Sequence, residues 1–425
     1  MTVAVPDNRL EADYLIETRY PLEQAAEAMA GEQSSGTFVA VPGETPELKA
    51  RAAARVERIE VLGEAEAPSL PGAGTPRAGA ASRPIRARVT LSWPLANIGP
   101  SLPNLLAMVA GNLFELKQFS GLRIEDMRLP PAFADAYPGP RFGVDGTRRL
   151  AGVERRPLIG TIVKPSVGLT AEDTADLVHT LAEAGIDFIK DDELQSDGPS
   201  CPFEDRARAV MRVINDHADR TGRKVMFAFN LTGDLDQMRR RHDLVRDLGG
   251  TCVMTSLNSV GLVGMIEFCR HSELPIHAHR NGWGALTRHP LLGWSYVAWQ
   301  KPWRIAGVDH MHVNGIRNKF CEPDDSVIAS ARACLTPIWP DRPCIVMPVF
   351  SSGQSAGQAP DTFEALGTGD LIFAAGGGVM AHPDGPAAGV ASLREAWEAA
   401  MAGRTLAEYA TTHPALARAL EAYSG

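Results

Sequence analysis

A lysine and three consecutive carboxylates end a short apolar run, Gly185-Ile186-Asp187-Phe188-Ile189-Lys190-Asp191-Asp192-Glu193. Such a run reads as a buried strand that stops where the charge begins. Charges crowded at that end are costly unless a metal or a countercharge compensates them. Clustered oxygen ligands suit a hard cation such as Mg2+. Lys190 as an ammonium cannot join them. If its neutral amine adds CO2, the resulting carbamate is an anionic oxygen ligand, and with Asp192 and Glu193 it completes a hard-cation site. Two simpler readings compete: an ammonium salt-bridged to its neighbours, or a solvated acidic loop.

Other groups with chemical potential stand at similar junctions. Gly376-Gly377-Gly378 follows a later apolar run, and Ser351-Ser352-Gly353 follows the one before it. Glycine lets backbone N–H groups approach phosphate oxygens closely, so Ser351, Gly353, Gly376 and Gly377 are candidates for holding a phosphate. His279-Arg280 and His312 offer imidazoles for proton transfer and a guanidinium for a second anionic group. His277 and His310 share strand parity with them and read instead as hydrogen-bonded core residues. Lys164, ahead of Pro165, is a candidate base or electrophile, provided that burial lowers its pKa. Lys319 lies in a polar stretch from Asn314 and reads either as a lysine on a closing loop or as a surface lysine.

The elements that must position these groups follow a rhythm. From residue 155, apolar runs recur about every 20 to 40 residues, most followed by a helical pattern. They are Leu158–Val163, Ile186–Ile189, Val225–Phe229, Cys252–Met254, Pro275–His279, Asp309–Val313, Cys344–Val349 and Leu371–Ala374. Thr170, with Glu172 and Asp173 behind it, caps the helix between the first two. Eight strand–helix units predict a (β/α)8 barrel, with chemistry at the carboxyl ends of its strands. The alternative is an open doubly wound sheet, but no GxGxxG turn follows the first strand. Nearly every residue named above falls at a carboxyl end.

The first part of the chain, residues 1–140, reads as a smaller α+β domain of ferredoxin-like type. Strands are expected at Tyr14–Tyr20, Arg55–Leu62, Ile85–Trp93 and Gly121–Leu129. Helices are expected from Pro21 to Met29 and from Asn104 to Phe114. The Ala-, Gly- and Pro-rich stretch 63–84 is expected to be a flexible loop. The barrel is expected over residues 150–425.

Composition narrows the function classes. A formal net charge of -9 argues against nucleic acid as a partner. The six cysteines show no CxxC spacing, so reduced thiols in a cytoplasmic protein are expected. No apolar stretch approaches the roughly 18 residues of a membrane span.

Together these residues resemble the large chain of ribulose-bisphosphate carboxylase/oxygenase (RuBisCO), specifically the RuBisCO-like, form IV branch. The resemblance runs from about Glu11 to Trp397. Gly185 to Glu193 is similar to the family's activation motif. That implies Lys190 as the carbamylated lysine, Asp192 and Glu193 as the other ligands of Mg2+, and CO2 as the source of the carbamate. Gly160 to Lys164 with Pro165 resembles the strand-one motif and implies that Lys164 handles the enolisation proton. By the same likeness His279, Arg280, His312, Lys319, Ser351, Gly353, Gly376 and Gly377 match family site positions, with Lys319 on the lid. Glu32 and Thr37, and Asn112 in Gly111-Asn112-Leu113-Phe114, match positions that reach a neighbouring subunit's site. This implies a homodimer with shared active sites.

The departures from the family pattern bear on the reaction. Ser166 stands where a second lysine is expected, Ile162 where a threonine is expected, Phe38 for a tryptophan and Ser352 for a glycine. The residues around Lys319 also differ from those of the carboxylases. The resemblance therefore implies an enolate-forming enzyme that does not fix CO2 on ribulose bisphosphate. Expected activities are a decarboxylase or transcarboxylase/hydrolase of the 3-oxo-isoapionate 4-phosphate type. The alternatives are an enolase or isomerase of methylthio-sugar phosphates, ribulose-bisphosphate carboxylase activity, and a catalytically silent scaffold.

Overall fold

The computed structural model describes residues 8–36, 41–76 and 79–423. The chain divides into two compact units, Met1–Tyr137 with Gly282–Ile305, and Pro138–Asn281 with Ala306–Gly425. The segment 282–305, read from sequence as part of the barrel half, thus groups with the N-terminal unit.

That unit is built on strands β1 (Arg9–Thr18), β2 (Arg55–Glu64), β3 (Ile85–Pro94) and β4 (Phe119–Arg128). Helix Leu22–Glu32 joins β1 to β2, and helix Leu102–Val109 joins β3 to β4. The sheet order β4-β1-β3-β2, with antiparallel neighbours, is the split βαβ arrangement of a ferredoxin-like fold. Leu292–Trp294 adds a fifth, parallel strand beside β4. Strand alternation explains the packing: Leu10, Ala12, Tyr14 and Ile16 are all fully buried. The intervening Glu11 and Asp13 pair with Arg128 at 2.7 and 2.6 Å. The second expected helix is shorter than its apolar pattern suggested. Gly111 (φ 33°) interrupts it, and a separate 3-10 turn follows at Leu113–Glu115.

The second unit contains the closed barrel. Its strands are Leu158–Ile162, Phe188–Lys190, Met226–Asn230, Cys252–Ser256, Ile276–His279, His310–His312, Met347–Phe350 and Ile372–Ala374. All neighbours are parallel, and the eighth strand pairs with the first. Each strand overlaps one of the eight apolar runs. Leu158, Phe188, Met226, Cys252, Met254, Met347, Val349 and Ile372 fill the interior. Thr170 caps the first helix, Ala171–Glu183, in a reciprocal box with Asp173. Among the described residues no helix is long and apolar enough to cross a membrane.

Asp309 fastens the amino end of the sixth barrel strand. Its carboxylate accepts backbone N–H bonds from Phe142, Gly143 and Ile276 at 2.7, 2.9 and 3.0 Å. Burial still pushes its pKa up to about 6, against the pull of these three donors. Asp309→Ala leaves those N–H groups without their acceptor, so about 3 kcal/mol of destabilisation is expected. A lowered urea midpoint at unchanged slope checks this, and an unchanged midpoint contradicts it.

Candidate active site

Lys190 ends the second barrel strand with only 1% of its side chain exposed. Its ammonium donates to the Asp191 carbonyl at 2.8 Å and lies 3.6 Å from Glu193 Oε2. Burial lowers its pKa, against the opposing pull of Glu193, Asp192 and Asp191. The neutral amine is therefore more accessible here than in water, which carbamate formation requires. Lys164 Nζ approaches Asp192 to 2.6 Å and donates to Ser166 Oγ at 2.8 Å. Burial alone would raise the Asp192 pKa. The Lys164 hydrogen bond, the Leu194 N–H and the charge of Lys190 together hold it below the usual carboxylate range. The burial on which the reading of Lys164 as a base was conditional is absent: its side chain is 42% exposed and ion-paired to Asp192.

The loop bearing Asp191 to Glu193 is pinned from below. Arg206 on helix Phe203–Thr221 and Asp191 form a fully buried ion pair at 3.2 Å. Arg206 also donates to the Ser196 carbonyl at 2.9 Å. Asn230, at the end of the third strand, donates to the carbonyls of Glu193 and Gln195 at 3.2 and 2.9 Å. Removing one partner strands a buried charge, so Arg206→Met is expected to cost about 3–5 kcal/mol of stability. Denaturant unfolding of the variant is the check, and a loss below about 1 kcal/mol contradicts this account of the pair.

On the opposite wall, His279 Nε2 lies 3.4 Å from Glu193 Oε2, and its ring sits 4.8 Å from that of His312. Burial, reinforced by neighbouring positive groups, holds both imidazoles well below their ordinary pKa. They are neutral at pH 7 and able to pass a proton. His312 Nε2 shares a 2.5 Å hydrogen bond with Ser351 Oγ. His310 is the hydrogen-bonded core residue expected, 2.8 Å from Thr147 Oγ1. His277 is equally buried but departs from that expectation. Among the described residues neither ring nitrogen has a hydrogen-bond partner, and the ring packs on Phe188 instead.

Arg280 was expected to meet a second anionic group. Its Nη2 already holds Glu322 Oε2 at 2.6 Å. The same carboxylate oxygen accepts from Asn314 Nδ2 at 2.7 Å. Asn314 in turn accepts from Ser352 Oγ at 2.8 Å, and the Lys319 N–H donates to the Ser352 carbonyl at 3.1 Å. The loop of Lys319 is therefore tied to the loop after the seventh strand, and the Lys319 ammonium lies 5.3 Å from the Phe320 ring centre.

Gly353 (φ 87°) adopts a backbone that glycine favours. A Cβ on Gly378 would lie 2.5 Å from the Gln354 carbonyl, so glycine there lets the seventh and eighth loops pack together. A Cβ on Gly376 would lie 3.9 Å from Lys164 Cε, whereas one on Gly377 would meet open space. The barrel thus gathers Lys164, Lys190, Asp192, Glu193, His279, Arg280, His312, Lys319, Ser351, Gly353, Gly376 and Gly377 at the carboxyl ends of its strands. Glu32 and Asn112 belong to the N-terminal unit, where Asn112 Nδ2 donates to Glu32 Oε1 at 3.4 Å. Thr37 and Phe38 lie outside the described residues.

This layout and its sequence place the chain in a known family. The model of the ribulose bisphosphate carboxylase large chain, catalytic domain, matches residues 143–423, and that of the N-terminal domain matches 79–133. The chain belongs to the RuBisCO large-chain family. A RuBisCO-like protein from Burkholderia fungorum superposes with a TM-score of 0.91 at 50% identity, over 97% of this chain and 99% of that one. The 3-oxo-isoapionate-4-phosphate transcarboxylase/hydrolase of Xanthobacter autotrophicus is 60% identical over 97% of this chain and 98% of its own. The 3-oxo-isoapionate-4-phosphate decarboxylase of Rhizobium rhizogenes is 47% identical over 97% of both chains. Within the RuBisCO family this chain thus falls among RuBisCO-like proteins, and these close relatives are named as enzymes.

Glu322 and Arg206 are site residues that the sequence pattern did not assign. Arg206 carried a signal, since it interrupts the buried stripe Phe203, Ala207, Val210 and Ile214 of its helix. Glu322 carried none. A second cluster, His242, Asp243 and His271, lies on the helices outside the barrel. There Asp243 Oδ1 accepts from His242 Nδ1 and His271 Nε2, both at 2.9 Å, while His242 Nε2 accepts the Glu273 N–H at 3.1 Å. Both His242 nitrogens are used, so it is a hydrogen-bonded staple.

Proposed function

We propose that this protein breaks a carbon–carbon bond in a phosphorylated 3-oxo sugar acid of the 3-oxo-isoapionate 4-phosphate type. It acts as a decarboxylase or a transcarboxylase/hydrolase and does not fix CO2 on ribulose bisphosphate. The observation that carries this reading is the convergence of two lysines on one carboxylate pair: Lys190 beside Glu193, and Lys164 on Asp192 at 2.6 Å. The names and coverage of the two curated relatives support the substrate class.

The donor set suits Mg2+. A buried lysine of lowered pKa, carried as its carbamate, would hold the ion with Asp192 and Glu193. The chemistry such an ion supplies when bound is electron withdrawal from the 3-oxo group. The carboxyl carbon leaves a bond next to that oxo group, and the bonding electrons remain on the sugar as an enolate. Lys164, on the same carboxylate network, is placed to return a proton to the carbon so exposed. Neutral His279 and His312 relay protons on the opposite wall. Gly353, Gly376 and Gly377 leave room for backbone N–H groups to receive the phosphate, with Lys164 alongside and Lys319 on the loop above. Glu32, Thr37 and Asn112 of the N-terminal region, residues 1–140, would complete the site of a second copy in a homodimer, with the barrel half carrying the chemistry.

The test is NMR of substrate panels in D2O with Mg2+ and bicarbonate. The 3-oxo sugar acid phosphate is expected to be consumed and methylthio-sugar phosphates to persist. Deuterium exchange or carbonyl migration on a methylthio-sugar phosphate, with the sugar acid untouched, moves the protein to the enolase/isomerase group. Inertness of both overturns the enzyme reading in favour of a scaffold.

A further inference from the structure

Glu322 occupies the Arg280 guanidinium at the carboxyl end of the fifth barrel strand, a cation otherwise open to a second anionic group. We infer that Glu322 makes this enzyme selective for substrates with one phosphate. The inference rests on the proposal that phosphorylated sugar acids bind at the carboxyl end of this barrel.

The carboxylate is built in rather than resting on a surface. Its Oε2 takes Arg280 Nη2 at 2.6 Å and Asn314 Nδ2 at 2.7 Å, while Oε1 takes Ser326 Oγ at 2.9 Å. Three donors therefore hold it, Arg280 from after the fifth strand and Asn314 and Ser326 from its own stretch, and both it and Arg280 are at most 10% exposed. Asn314 reaches it from a positive φ of 62°, a conformation asparagine tolerates better than most residues. Desolvated, the Arg280–Glu322 pair is neutral as a unit. A dianionic phosphate arriving there meets a fixed like charge in a low-dielectric wall. An uncharged hydroxyl end meets no such penalty. Selectivity by a placed repulsive group is a general route to discrimination. The other candidate phosphate wall, Ser351, Gly353, Gly376 and Gly377, has Lys164 3.9 Å from a Cβ built on Gly376. Polarity along the substrate follows: phosphate toward the glycines and Lys164, hydroxyl end toward Arg280.

Binding of two unreactive probes, a tetritol monophosphate and the corresponding bisphosphate, tests this by calorimetry on the full-length protein. The wild type is expected to bind the monophosphate at least as tightly as the bisphosphate. Glu322→Gln keeps the shape and the Ser326 contact, and it should raise the bisphosphate-to-monophosphate affinity ratio about tenfold or more. Ser326→Ala, which removes one of the three donors and is milder for folding, should shift the ratio in the same direction by less. Tighter bisphosphate binding by the wild type overturns the inference, as does an unchanged ratio in both variants. Because the probes do not react, this outcome is independent of whether the sugar acid loses its carboxyl group.

Discussion

Lys190→Ala is expected to lose turnover by at least about a thousandfold while the barrel stays folded, because the variant loses the side chain proposed to complete a hard-cation site. The side chain is 1% exposed, and its surroundings favour the neutral amine more than water does. Burial is the largest cause of that lowered pKa, and the adjacent carboxylates limit it. The uncharged fraction therefore grows with pH from a lower starting point than for a surface lysine, and activation by bicarbonate should grow with it. A readout other than activity is available. Protein incubated with 13C-bicarbonate and Mg2+ should give a carbamate carbon resonance that Lys190→Ala lacks. A variant retaining a tenth of wild-type activity, or an equal resonance in both proteins, is incompatible with the assignment.

If Lys164 is the proposed proton donor, Lys164→Met should lower kcat by about a hundred- to ten-thousandfold, the range for loss of such a group. Methionine keeps the length of the side chain and removes the ammonium. A further consequence follows from the 2.6 Å contact with Asp192. Asp192 loses the hydrogen bond that most opposes the effect of its own burial, so its pKa should rise. A variant with unchanged kcat and raised KM would instead restrict Lys164 to phosphate binding.

The barrel was legible because its strands are short apolar runs that end in polar residues, and such runs mark strand and site together. Lys190 to Glu193 is the clearest case. The N-terminal sheet was legible in outline, though β1 starts at Arg9, before the run that suggested it, because Glu11 and Asp13 find Arg128 across the sheet. Partners distant in sequence were not legible. Glu322 is 42 residues from Arg280, and nothing local marks it as the group that would neutralise that arginine. The exposure of Lys164 depends on how its loop leaves the strand, which an apolar pattern does not encode. His277 shares parity with His279 on its strand, yet its ring packs on Phe188 with no hydrogen-bond partner among the described residues. The grouping of 282–305 with the N-terminal unit reflects pairing of Leu292–Trp294 with β4, a contact set by tertiary structure alone.

The most direct test of the central claim is to follow a 13C label placed in the carboxyl carbon of 3-oxo-isoapionate 4-phosphate. With Mg2+ and bicarbonate-activated protein, the label should leave its original carbon. It should appear as CO2 and bicarbonate if the enzyme decarboxylates, or in the carboxyl group of a shorter acid if it transfers and then hydrolyses. Label that stays on its original carbon, in a substrate merely exchanged or isomerised, contradicts carbon–carbon cleavage and with it the proposed function.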